Sequence, residues 1–109
     1  MKLPSELICE KLRLLLTPWA HHVTEKRMFG GTCFLYKGKM CVGETKSRLM
    51  VRVLDKDIAR ELEKPFVKPM DFTGKPMKEF IFVMPEMLIS DTQWSHFVAL
   101  GIAHAKTKV

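Results

Sequence analysis

Two short turn signals divide the middle of the chain into runs of nearly equal length. Lys37-Gly38 and Lys46-Ser47 separate three stretches rich in β-forming residues, 32–36, 39–45 and 48–53. Two-residue loops of this kind join neighbouring antiparallel strands, so the chain is committed to a meander. The third run gives the clearest pattern. Leu49, Val51 and Val53 alternate with Arg48, Met50 and Arg52, the period of a strand whose two faces meet different surroundings.

The flanks of the meander read differently. Leu7, Ile8, Leu12, Leu15 and Leu16 recur at helical spacing, with Ser5 as a cap and Pro18 as a stop. Residues 19–26 read as a connector. Asp55 is placed to cap a short helix ending near Lys64-Pro65. Residues 66–72 read as an edge strand interrupted by Pro69. Gly74-Lys75-Pro76 is a turn, 78–84 a strand and 85–89 a link. Ser90 or Asp91 caps a last helix with one apolar stripe of Trp94, Phe97, Val98, Gly101, Ile102 and Ala105. The order is α-β-β-β-α-β-β-α. It predicts an α+β fold of two layers, an antiparallel sheet with helices on one face. At 109 residues the chain fits one domain, 1–109, able to bury a core without a disulfide or metal.

If both turns are two-residue loops, Leu35 pairs with Met40, Cys33 with Val42, Val42 with Val51 and Thr45 with Arg48. Uninterrupted alternation then assigns Cys33, Leu35, Met40, Val42, Leu49, Val51 and Val53 to the helix-covered face. The opposite face receives Thr32, Phe34, Tyr36, Lys39, Cys41, Gly43, Arg48, Met50 and Arg52. Aromatics and a methionine among cations form a contiguous group of the kind that marks an interaction surface. The candidate surface is therefore Phe34, Tyr36, Arg48, Met50 and Arg52.

The residues that carry chemistry do not assemble into a motif. Gly30-Gly31 opens a strand rather than a helix, so it reads as a tight bend where a side chain would clash, not as a phosphate loop. His21-His22 are adjacent and do not converge on one metal, and no ligand spacing typical of zinc occurs. Cys9, Cys33 and Cys41 suit free thiols in a reducing compartment. Cys33 and Cys41 are expected on opposite faces, which disfavours a disulfide. No local motif pairs a cysteine with His21, His22, His96 or His104, so no nucleophile has an identified base. His96 and His104 read as solvent-facing. Glu6, Glu10, Asp55, Asp57, Glu61 and Glu63 read as helix-surface or capping residues. The abundant methionines read as gap fillers in the core.

The motif Arg27-Met28-Phe29-Gly30-Gly31, followed by Gly38-Lys39-Met40, then residues 48–53, then the run 69–78 and a helix around Trp94, resembles the N-terminal domain of the TfoX/Sxy family. The resemblance spans roughly residues 6–105. It implies a two-layer fold similar to secretion-chaperone-like domains, in agreement with the order read from the residues. The family often has glycine after the lysine of the fourth motif; Glu79 stands there instead. Full-length relatives regulate natural competence with the cyclic-AMP receptor protein, and the family supplies no catalytic residues to transfer.

The expected function is a non-catalytic protein-interaction domain in a setting related to competence or transcription control. A homodimer or another protein is the expected partner, and the location is cytoplasmic. No cofactor, membrane or small-molecule substrate is expected. The alternative is a nucleic-acid-binding module. The net charge of +6 and the Phe34, Tyr36, Arg48, Arg52 group resemble sheets that stack bases. The 18 lysines and arginines are scattered, however, which also fits a solvated surface.

Overall fold

Both turn signals form tight reversals. Lys37 and Gly38 have φ values of 48° and 82°, and Lys46 and Ser47 have 51° and 61°. Positive φ at both central positions gives the twist that matches antiparallel strands. The computed structural model describes the backbone of residues 3–28, 30–72 and 75–109, and their side chains outside 71–78.

Among these residues, helix α1 (Ser5–Leu15) is followed by a 3-10 segment (Thr17–His22) and strands β1 (Val23–Met28), β2 (Gly31–Tyr36), β3 (Lys39–Thr45) and β4 (Arg48–Arg52). Helix α2 (Asp55–Leu62), strands β5 (Val67–Phe72) and β6 (Lys75–Val83), a 3-10 turn (Pro85–Met87) and helix α3 (Asp91–Lys108) complete the chain. The six strands form one antiparallel sheet in the order β1-β2-β3-β4-β6-β5. The α+β architecture and the order of its helices and strands are those expected.

The sheet also gains an edge strand, β1, within the stretch read as a connector. Thr24, Glu25, Lys26 and Arg27 are all exposed. An edge strand with this polarity shows no apolar alternation, and its charges suit the unpaired edge of a sheet. At the other edge, the β5–β6 register shifts between Pro69 and Asp71, where proline cannot donate to the ladder.

All three helices lie on one side. Helix α3 packs across β2, β3 and β4, α1 on β3, and α2 on β5 and β6. The α3 stripe is the one expected: Trp94, Phe97, Val98, Gly101, Ile102 and Ala105 are all buried. A Cβ on Gly101 would lie 2.4 Å from the Cys41 carbonyl oxygen, so a bare backbone lets the helix sit this close to β3. Ser90 caps α3 in a full capping box with Gln93. Two expected caps are absent. The N-cap positions are Pro4 for α1 and Leu54 for α2, neither with a side-chain cap, and Ser5 bonds Glu44 instead. Leu7 turns outward and is half exposed, while Cys9 takes its place in the core.

The glycine pair behaves as read. Gly30 has a φ of 72°. A Cβ on Gly31 would lie 1.8 Å from the Glu44 carbonyl oxygen. Arg27 and Met28 lead into this bend at the end of β1, and Phe29 lies outside the described residues, as do parts of the expected turn at 74–76.

Candidate interaction surface

The faces of the meander turn on one residue. Leu35 pairs with Met40 and Tyr36 with Lys39, as the hairpin requires, but Phe34 pairs with Val42, leaving Cys41 as the extra residue of a bulge. Cys33 therefore opposes Gly43, not Val42. Between the turn and the bulge, Met40 and Cys41 have exchanged faces relative to the simple register, whereas Val42 and Gly43 keep theirs. Cys41 and Val42 both join the helix-side core, and Met40 points the other way.

The bulge corrects the assignment of β2. Phe34 and Tyr36 lie under the helices, 1% and 7% exposed, with Val42, Leu49, Val51 and Val53. Neither belongs to an open surface. Cys33, Leu35 and Met40, expected under the helices, occupy the helix-free face. Cys33 and Cys41 do lie on opposite faces, with sides exchanged. The β4 assignment holds, because Val42 does pair with Val51 and Thr45 with Arg48.

The helix-free face is consequently built from other side chains. One row across it reads Lys26, Cys33, Gly43, Met50, Phe82, Lys68, from β1 to β5 in strand order. Cys33, Met40, Met50, Met70 and Phe82 are packed together and buried, with Met28, Leu35 and Phe80 half-buried against them. Met50 is on the expected face but is fully buried. Arg48 and Arg52, half exposed, lie over the aromatics. The Arg48 guanidinium is 3.8 Å from the centre of the Phe82 ring, and that of Arg52 is 5.3 Å from Phe80. Each arginine shields an aromatic from water while keeping its charge at the surface. Arg52 Nε is buried without a partner among the described residues. Lys68, Phe80 and Phe82 share this face but were not among the candidate residues, because Phe80 and Phe82 alternate with the equally apolar Ile81 and Val83 and neither set is marked as outward.

Three acidic residues have roles that the sequence reading did not give them. Glu44 is buried and accepts from Ser5 Oγ at 2.7 Å and the Ser47 amide at 2.9 Å, tying α1 to the β3–β4 turn. Glu61, read as a surface residue, is 1% exposed between α2 and α3. It receives Lys64 Nζ at 2.6 Å and lies 3.1 Å from His96 Nε2. Burial pushes its carboxyl up, and Lys64 and His96 together outweigh that, holding it below the usual carboxylate range. Glu79 pairs with His104, which is fully buried rather than solvent-facing and whose Nδ1 has no partner among the described residues. The Glu79 carboxyl is held below its ordinary value, first by the His104 hydrogen bond.

The thiols offer little nucleophile. All three cysteines are free and buried. Burial pushes Cys33 up to about 11 and Cys41 up to about 12, and raises Cys9. Among the described residues, no group of three or more His, Cys, Asp or Glu side chains is placed to hold a metal ion. No helix among them is long and apolar enough to cross a membrane. Of the methionines read as core filler, Met84 and Met87 are instead exposed.

Compared with known families, residues 15–105 match the model of the TfoX N-terminal domain. No curated protein matches the sequence significantly.

Proposed function

The chain belongs to the TfoX N-terminal domain family, and from that premise we propose that it is a non-catalytic protein-interaction domain acting in the regulation of competence or transcription. Its working surface is the helix-free face of the sheet. The observation that supports this is the pair of cation–aromatic stacks, Arg48 on Phe82 and Arg52 on Phe80, over a cluster of methionines and Cys33. Surfaces that combine arginine, aromatic and methionine side chains are typical of the centres of protein interfaces. Two such faces brought together by a two-fold axis would oppose cation to cation, so a distinct, acidic protein fits better than a second copy.

The nucleic-acid reading keeps the +6 charge but loses its stacking platform. Phe34 and Tyr36 are beneath helices, and Phe80 and Phe82 are capped by arginines. Base stacking needs open aromatic faces.

Affinity capture from cell extract, with and without nuclease, tests the proposal alongside light scattering of the purified protein. Arg52→Glu and Leu35→Glu should abolish capture of a protein partner, with circular dichroism establishing that each variant is folded. Glu10→Lys, on α1, should not. Retention of every partner by both face variants refutes the assignment. Nuclease-sensitive capture, or binding to oligonucleotides that weakens steeply with salt, establishes the alternative.

A further inference from the structure

At one end of the helix-free face, where β4, β5 and β6 meet the 3-10 turn, lies a groove of about 360 Å³. Its cations are Arg48 and Lys68, and its apolar lining includes Pro69, Phe82, Met84 and Pro85. Lys68, Pro69 and Met84 are exposed. The register explains the convergence. Lys68 is paired with Phe82 across β5–β6, and Arg48 covers the same ring from β4. Both cations of the groove therefore neighbour one aromatic.

A third element narrows the occupant. Glu86 also lines the groove, and its Oε2 is buried with no hydrogen-bond partner among the described residues. Neither Arg48 nor Lys68 forms an ion pair with it. A buried unpaired carboxylate oxygen is costly unless a donor arrives. The groove thus offers two cationic donors, one anionic acceptor and an apolar wall within one ligand's length. A DNA backbone supplies anions but no donor for Glu86, and the phosphates of either DNA or RNA would face that carboxylate. A peptide supplies all three parts: a side-chain carboxylate for Arg48 and Lys68, a main-chain N–H for Glu86, and an apolar side chain for the wall of Pro69, Met84 and Pro85.

We propose that this groove binds an acidic, apolar segment of a partner protein, with an aspartate or glutamate between the two cations and an adjacent large apolar side chain in the slot. This rests on the reading of the helix-free face as a protein-docking face, and adds the address and the chemistry of the anchor.

The test uses the intact protein, isotopically labelled, with a blocked synthetic peptide of alternating glutamate and leucine as probe. Two control peptides carry glutamine for glutamate or alanine for leucine. Amide shifts on titration should centre on residues 47–48, 68, 82–84 and 86. Each control should bind about tenfold more weakly, the size of effect that loss of an interface anchor produces. Arg48→Gln and Lys68→Gln, both surface changes, should each weaken the glutamate peptide and leave the glutamine peptide unaffected. Glu86→Gln should weaken both. The absence of shifts in the groove at millimolar peptide overturns the proposal. So does equal binding of all three peptides, or a stronger response at the same amides to inorganic phosphate or a thymidine oligonucleotide. If a captured partner is lost with Arg52→Glu but kept with Lys68→Gln and Met84→Ala, the groove assignment fails and the docking face stands. If it survives all of these, both fail.

Discussion

Replacing Glu79 by glycine and, separately, by alanine resolves two contributions that the native residue combines. Its φ is 67°, in the left-handed region, and its carbonyl accepts the Val53 amide at 2.8 Å, which fixes the backbone there. Its carboxylate pairs with His104, a fully buried imidazole. Either substitution removes the carboxylate and leaves both ring nitrogens of His104 without a partner, a loss of about 1–3 kcal/mol. Only glycine also relieves the backbone, by roughly 1–2 kcal/mol. Glycine gives part of this back, roughly 0.4–1 kcal/mol, through the greater freedom of the unfolded chain. The glycine variant should therefore be more stable than the alanine variant by about 0.5–1 kcal/mol, or about 2–8 °C in Tm for a domain near this size. That order reverses the usual preference for alanine. Urea unfolding followed by fluorescence and circular dichroism measures the difference. An alanine variant as stable as the glycine variant would refute the left-handed conformation.

Gly31→Ala should destabilise by about 3 kcal/mol or more, since the new methyl would overlap a neighbouring strand's carbonyl. Gly38→Ala, with open space around it and only its φ of 82° to resist, should lose about 1 kcal/mol. The three thiols should react with a disulfide reagent at neutral pH only after unfolding, because burial keeps each protonated and out of reach; fast labelling of the native protein contradicts this. Glu61 has a folded pKa below its unfolded value, so its contribution is present above about pH 4.5 and is lost as pH falls through the folded value. Glu61→Gln should flatten the acid limb of the stability–pH curve; an unchanged limb shows that other groups set it.

What the sequence made legible follows from how strongly each segment marks its environment. Helix α3 declares one face to the core: its large apolar side chains recur at helical spacing, and all six stripe residues are buried. The β4 faces were equally clear, since arginines alternate with aliphatics. Strand β2 gives no such mark. Phe34 and Tyr36 look as apolar as Cys33 and Leu35, and both sets are packed in clusters on opposite sides of one sheet. With neither face polar, alternation cannot say which is inward, and the turn alone carried the assignment. The buried charges escaped for a different reason. Glu61 and His104 sit at helical positions where their type normally meets water, and only the third dimension brings Lys64, His96 and Glu79 to them.

The bulge at Cys41 makes this argument testable by deletion. In a simple ladder, removing one residue from mid-strand reverses the faces of everything on one side of it. Cys41 is different, because it is the residue that β2 leaves unpaired. With it removed, Met40 still opposes Leu35 and Val42 still opposes Phe34, and the out–in alternation from Met40 to Gly43 becomes regular. The Cys41 deletion should therefore fold cooperatively, losing about 1–3 kcal/mol for a small buried side chain and for the contact between its backbone and Gly101. Deletion of Met50 from β4, which has no bulge in its pairing with β3, should instead abolish cooperative unfolding, since Val51 and Arg52 would exchange core and surface. Thermal unfolding of the two variants side by side decides the matter. Equal damage from both deletions would mean that Cys41 is an ordinary ladder residue, and Phe34 and Tyr36 would return to the open face.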